Sequence, residues 1–142
     1  MAARIQRIAA SAIAMLVAAG PAAAAPTVVP LDTETTVSGV PVACTGVGEA
    51  KLNPHWDSYP VRVAFSGAKG DLLADEALTI FNESGAVVAS VGCTGPWILL
   101  KLPPGGYRIE GWLPRGEAAH QSGFFRVPPD GPVHLELHFP DA

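Results

Sequence analysis

From Val61 to Phe139 apolar and polar residues alternate in short runs. VRVAF sets Val61, Val63 and Phe65 on one side against Arg62 and Ala64, and ALTIF pairs Leu78 with Ile80. AVVASV aligns Val87, Ala89 and Val91, and WILLKL aligns Ile98, Leu100 and Leu102. YRIEGW places Tyr107, Ile109 and Gly111 opposite Arg108, Glu110 and Trp112. FFRV comes next, and VHLELHF closes the series with Val133, Leu135, Leu137 and Phe139 opposite His134, Glu136 and His138. A period of two is what a half-buried strand requires, because successive side chains point to opposite faces. VPVAC is a shorter candidate strand, and TGVGEAKLNPHWDSY interrupts the pattern with at most two turns of helix around Glu49 to Asn53. Seven strands, or eight with VPVAC, at short spacing and without a long helix predict an all-β fold. The expected architecture is an antiparallel β-sandwich of Greek-key type.

The separators carry turn chemistry. NESG, Asn82 to Gly85, reads as a four-residue hairpin loop with glycine where a positive φ is needed. LPPGGYRIEGW, Leu102 to Trp112, raises a sharper question, because glycine-rich loops also cradle phosphates. Such loops work at the start of a helix, where free N–H groups point at the anion. Here the residues after the glycines, YRIEGW, have strand period, and the spacing matches neither GxGxxG nor GxxxxGK[ST]. The remaining reading is mechanical. Pro103 and Pro104 end a ladder by removing N–H donors, Gly105 and Gly106 turn the chain, and Tyr107 returns its hydroxyl to the backbone as a tyrosine corner.

With PWILLKLPPGGYRIEGW and its L-P-x-G-x-Y corner, preceded by GDLLADEALTIFNESGAVV, the chain resembles the carboxypeptidase regulatory-like domains, whose fold is a transthyretin-like β-sandwich. The resemblance spans about Val61 to Phe139, and the segment Gly46 to Glu49 is similar to one in small exported single-domain bacterial proteins. It implies a non-catalytic binding or accessory module and names no ligand. A ureide hydrolase with a transthyretin-like fold carries a Y-R-G-S motif, where this sequence has HFPDA.

The N-terminal residues change the picture of compartment. Arg4 and Arg7 precede an apolar run from Ile8 to Ala19, and an A-x-A pattern lies beyond it at Ala22 to Ala24. This reads as a signal peptide over 1–24, with cleavage after Ala24, or after Ala23 or Ala25. The run is shorter than the ~20 residues of a membrane span, and no later segment spans. The expected organisation is therefore a signal peptide (1–24), a leader with room for an edge strand (25–39) and one domain (40–142). The expected location is the bacterial periplasm or the medium. Without Arg4 and Arg7, seven basic residues face thirteen acidic ones, a net charge of −6. That balance, with no basic cluster, argues against nucleic acid and anionic lipid as partners. In an oxidising compartment Cys44 and Cys93 form one intramolecular bridge. It closes a loop worth ~4 kcal/mol in the chain-entropy model. Their separation and the absence of CxxC give no support to a metal site or reactive thiol.

Candidate chemistry is sparse. GxSxG, SxxK and HExxH are absent, so no catalytic residue and no cofactor are assigned. His55, Asp57 and Ser58 are neighbours in sequence, which is not triad geometry. Asp75 and Glu76 read as solvent-facing. His134, Glu136 and His138 share a strand face and are metal-ligand types, but the two histidines lie ~13 Å apart on a straight strand. The simpler reading is the polar face of a terminal strand, with His120 in a loop. Trp56 and Tyr59 suit a sugar or a protein interface, or else cap the open end of the sandwich. Trp97 and Trp112 fall on outer strand faces and make one aromatic patch if their strands are adjacent. The functional expectation is a binding module for another envelope protein through Trp56, Tyr59, Trp97 and Trp112. The alternative is a metal or carbohydrate binder.

Overall fold

The computed structural model describes residues 25–114 and 120–142. The signal-peptide reading of residues 1–24 lies outside the described residues. Among the described residues, ten strands form a β-sandwich-like arrangement of two five-stranded sheets. They are β1 (Thr27–Val29), β2 (Thr33–Val37), β3 (Val40–Thr45), β4 (Val61–Ser66) and β5 (Glu76–Asn82), then β6 (Val87–Cys93), β7 (Trp97–Leu100), β8 (Gly105–Trp112), β9 (His120–Val127) and β10 (Val133–His138). Sheet I runs β1-β6-β5-β8-β9 and sheet II runs β10-β4-β7-β3-β2. The only helical elements among the described residues are 3-10 turns at Gly48–Leu52 and Pro54–Ser58.

Two features correct the sequence expectation. The sheets are mixed rather than antiparallel, because β1 pairs parallel with β6 and β10 parallel with β4. Hairpin logic applies only to strands adjacent in sequence, whereas β10 joins β4 after the chain leaves sheet I. The strands among the described residues also number ten rather than seven or eight. The leader 25–39 supplies an edge strand to each sheet, crossing between them at Pro30 to Asp32. β2 is TETTV with four exposed residues, and β1 has only three residues. Neither offers an apolar alternation long enough to read.

The alternating apolar residues fill the space between the sheets. Val61, Val63 and Phe65 of β4, Leu78 and Ile80 of β5, Val91 of β6 and Ile98 and Leu100 of β7 have no exposed surface. Phe65 stacks on Phe139 with ring centroids 5.3 Å apart. Gly111 is glycine because the sheets close over it. An added Cβ would lie 2.5 Å from Leu137 Cδ1 and 2.9 Å from the Phe65 ring. The Cys44–Cys93 disulfide joins β3 of sheet II to β6 of sheet I and so staples one sheet to the other.

The turns behave as their residues dictate. Asn82 Oδ1 accepts hydrogen bonds from the N–H of Ser84 and of Ala86, and Gly85 takes φ 84° to close the β5–β6 hairpin. At the corner, the Tyr107 hydroxyl donates to the Pro103 carbonyl at 2.7 Å.

Candidate functional site

The outer face of sheet II is built from one cross-strand row. Glu34, Ala43, Leu99, Arg62 and His134 are in register across β2, β3, β7, β4 and β10. Trp97 precedes this row by two residues on β7 and points the same way by strand period. The 3-10 segment then folds over the row. Asn53 has extended backbone, as the residue before a proline must, and its side chain accepts from the His55 N–H at 3.0 Å. The Trp56 indole N–H donates to the Ala50 carbonyl at 2.8 Å, tying the second turn to the first. Trp56, Tyr59 and Trp97 thereby gather on Ala43 and Leu99 as a small apolar cluster separate from the core between the sheets. Tyr59 is buried, but against the back of sheet II rather than at the open end of the sandwich.

Charge is arranged around these rings. The Arg62 guanidinium lies 4.3 Å from the Trp97 centroid, with the Lys51 ammonium 6.0 Å from the same ring. Lys101 stands 4.7 Å from the Tyr59 centroid. The Tyr59 hydroxyl donates to Glu34 Oε2 at 2.6 Å, and His55 Nε2 meets the same oxygen at 2.8 Å. The bond from Tyr59, and then that from His55, hold the Glu34 carboxyl below its usual range. Burial, and then the Glu34 carboxylate, push the Tyr59 phenol up. Lys51, Leu52, Trp56, Arg62, Trp97 and His134 are among the residues lining an open cleft of about 480 Å³. This cleft has the makings of a recognition surface: aromatic anchors, cations held on rings and an exposed apolar rim at Leu52.

Trp112 does not belong to it. It lies on β8 of sheet I, paired with Ala77 and His120, so the two indoles of Trp97 and Trp112 are on different sheets. The single Trp97–Trp112 patch is thus overturned by strand order, which local alternation does not specify. His120 likewise begins β9 in sheet I, whereas β10 belongs to sheet II. On β10, His134 Nδ1 takes a hydrogen bond from Arg62 at 3.1 Å and His138 Nδ1 meets Ser66 Oγ at 3.2 Å. Burial, and then the Arg62 charge, lower the basicity of His134. A guanidinium against this ring nitrogen opposes a metal ion there, and no group of three metal-ligand side chains occurs among the described residues. Ser58 Oγ donates to the His55 carbonyl rather than to a ring nitrogen, so no triad forms.

Sequence reasoning missed Arg62, Lys51 and Lys101, whose roles depend on which strand lies beside which. It also misplaced Glu76. Asp75 is exposed with φ 60°, but Glu76 is 2% exposed, and neither of its carboxyl oxygens has a hydrogen-bond partner. Burial raises its pKa to about 8. The nearness of its own backbone N–H offsets this in part, and the Asp75 charge adds to it. The signal was present in the period, since Glu76 shares the inward face of β5 with Leu78 and Ile80.

No protein-family model matches the chain, and no curated protein does either.

Proposed function

We propose that the chain is an exported, non-catalytic binding module whose contact surface is the outer face of sheet II. The observation that carries this reading is the convergence of Trp56, Tyr59 and Trp97 with Lys51, Arg62 and Lys101 on one sheet face. Aromatic residues and arginine are the side chains that dominate protein interfaces. The L-P-x-G-x-Y corner, with the Tyr107 hydroxyl bonded back to Pro103, supports a Greek-key, transthyretin-like sandwich of the carboxypeptidase regulatory-like type. The signal-like N-terminus and the Cys44–Cys93 bridge support a periplasmic or secreted location, with another envelope protein as partner.

The test is in-cell crosslinking of the tagged, exported protein, with identification of the captured species. One reproducible envelope protein is expected with the natural chain and not with Trp97→Ala of unchanged circular dichroism. Capture that is indifferent to Trp97 refutes the reading.

A further inference from the structure

The charge pattern on this face names the chemistry of its partner. Among the described residues, the carboxylates of sheet I neutralise its cations: Arg108 pairs with Glu110, and Arg126 lies 3.5 Å from Glu83. The only other contact of this length between a basic side chain and a carboxylate among them is His55–Glu34 at 2.8 Å. Lys51, Arg62 and Lys101 form no ion pair among the described residues, with Lys101 reaching the Glu34 carboxylate only through its longer-range charge, although the chain carries thirteen acidic residues against nine basic ones. Of the four lysines and arginines without an ion pair among the described residues, Lys51, Arg62 and Lys101 all stand against the rings of one sheet face and only Lys69 does not, so that face presents charge complementary to an anion.

The geometry also separates two kinds of anion. A sugar ring binds aromatic side chains by lying on an open ring face. Here Arg62 covers the Trp97 ring, and Lys101 stands over Tyr59. Trp56 is tilted between its neighbours, 55° from the Tyr59 plane and 58° from the His55 plane. What the face offers instead is cations, with their aliphatic stems and ring contacts already in place, beside apolar side chains and with Asp57 as the one carboxylate lining the cleft. Leu52 is 73% exposed and Val47 51% exposed, and Leu99 and Pro132 line the cleft. Carboxylates spaced among apolar side chains satisfy both sets of groups.

We infer that the outer face of sheet II binds an acidic peptide segment of its partner, one that alternates Asp or Glu with apolar residues. Its carboxylates pair with Arg62, Lys51 and Lys101, and its apolar side chains cover Leu52 and the Trp97 edge. This rests on the reading of that face as the contact surface.

The experiment titrates the full exported chain, disulfide intact, with three probes. They are a fluorescein-labelled twelve-residue peptide alternating Glu with Leu and Val, the same peptide with Lys for Glu, and an oligogalacturonate. The acidic peptide is expected to bind with an affinity that falls with salt, and the lysine peptide not to bind. Arg62→Gln, Lys51→Gln and Lys101→Gln should each weaken binding about threefold, and the triple variant about thirtyfold. Lys69→Gln, away from the rings, should leave it unchanged. Three results overturn the inference: no binding of the acidic peptide, equal loss with Lys69→Gln, or oligogalacturonate bound in its place. The reading beneath it is tested separately and fails if in-cell capture is indifferent to Trp97→Ala. If in-cell capture persists in the triple glutamine variant and is lost only with Trp97→Ala, the face is the contact surface and the acidic segment is wrong.

Discussion

Glu76 makes the stability of this protein depend on pH in an unusual direction. In the unfolded chain its carboxyl releases a proton near 4.5, whereas in the folded protein it holds the proton to about 8. Between these values the unfolded state binds fewer protons than the folded one, so stability falls as pH rises. The contribution is whole below pH 4.5 and lost progressively up to about 8, beyond which it is level. At about 1.4 kcal/mol per pH unit, the loss between pH 4.5 and 7 is roughly 3 kcal/mol, and the full span roughly 4–5 kcal/mol. A domain of this size has only about 5–15 kcal/mol in total. Glu76→Leu removes both the titration and two buried oxygens without partners. Urea denaturation of the oxidised protein at pH 5, 6, 7 and 8 should show the variant gaining on the natural chain at each step, by ~3 kcal/mol or more at pH 8. Glu76→Gln should flatten the pH dependence in the same way while retaining the cost of a buried amide. A natural chain and a leucine variant whose midpoints move in parallel from pH 5 to 8 would refute the reasoning.

Single contacts carry further consequences. Reducing the Cys44–Cys93 bridge frees a loop of 49 residues' separation and should lower stability by about 4 kcal/mol, read as the shift of the urea midpoint in dithiothreitol. Tyr107→Phe removes the hydrogen bond to Pro103 and should cost about 1 kcal/mol; an unchanged midpoint contradicts the corner. Gly111→Ala forces a methyl against Leu137 and Phe65 and should cost about 1–3 kcal/mol in the same assay.

Much of the fold was legible because it is local. The alternation in VRVAF, ALTIF and YRIEGW marks β4, β5 and β8, the NESG turn marks the hairpin, and the cysteine pair marks the staple. What could not be read was non-local. Nothing in VHLELH says that β10 pairs parallel with β4, and it is that pairing which brings His134 beside Arg62. Strand order likewise decides that Trp97 meets Trp56 and Tyr59 while Trp112 lies on the other sheet. The aromatic members of the site were visible as residue types. The cations were not, because an arginine on an outer strand face looks the same whether it faces water or an indole. Glu76 shows the reverse error: its polarity suggested solvent, although its place in the alternation put it in the core.

The central claim is that sheet II, and not sheet I, carries the contact surface. Sheet I offers the fair comparison, since Phe124 on β9 is 86% exposed. The most direct measurement places a photo-crosslinking residue at Leu52 in one strain and at Phe124 in another, and irradiates cells producing the protein. The account predicts a discrete protein adduct from position 52 and none from position 124. Adducts from position 124 alone would contradict it and move the contact surface to sheet I.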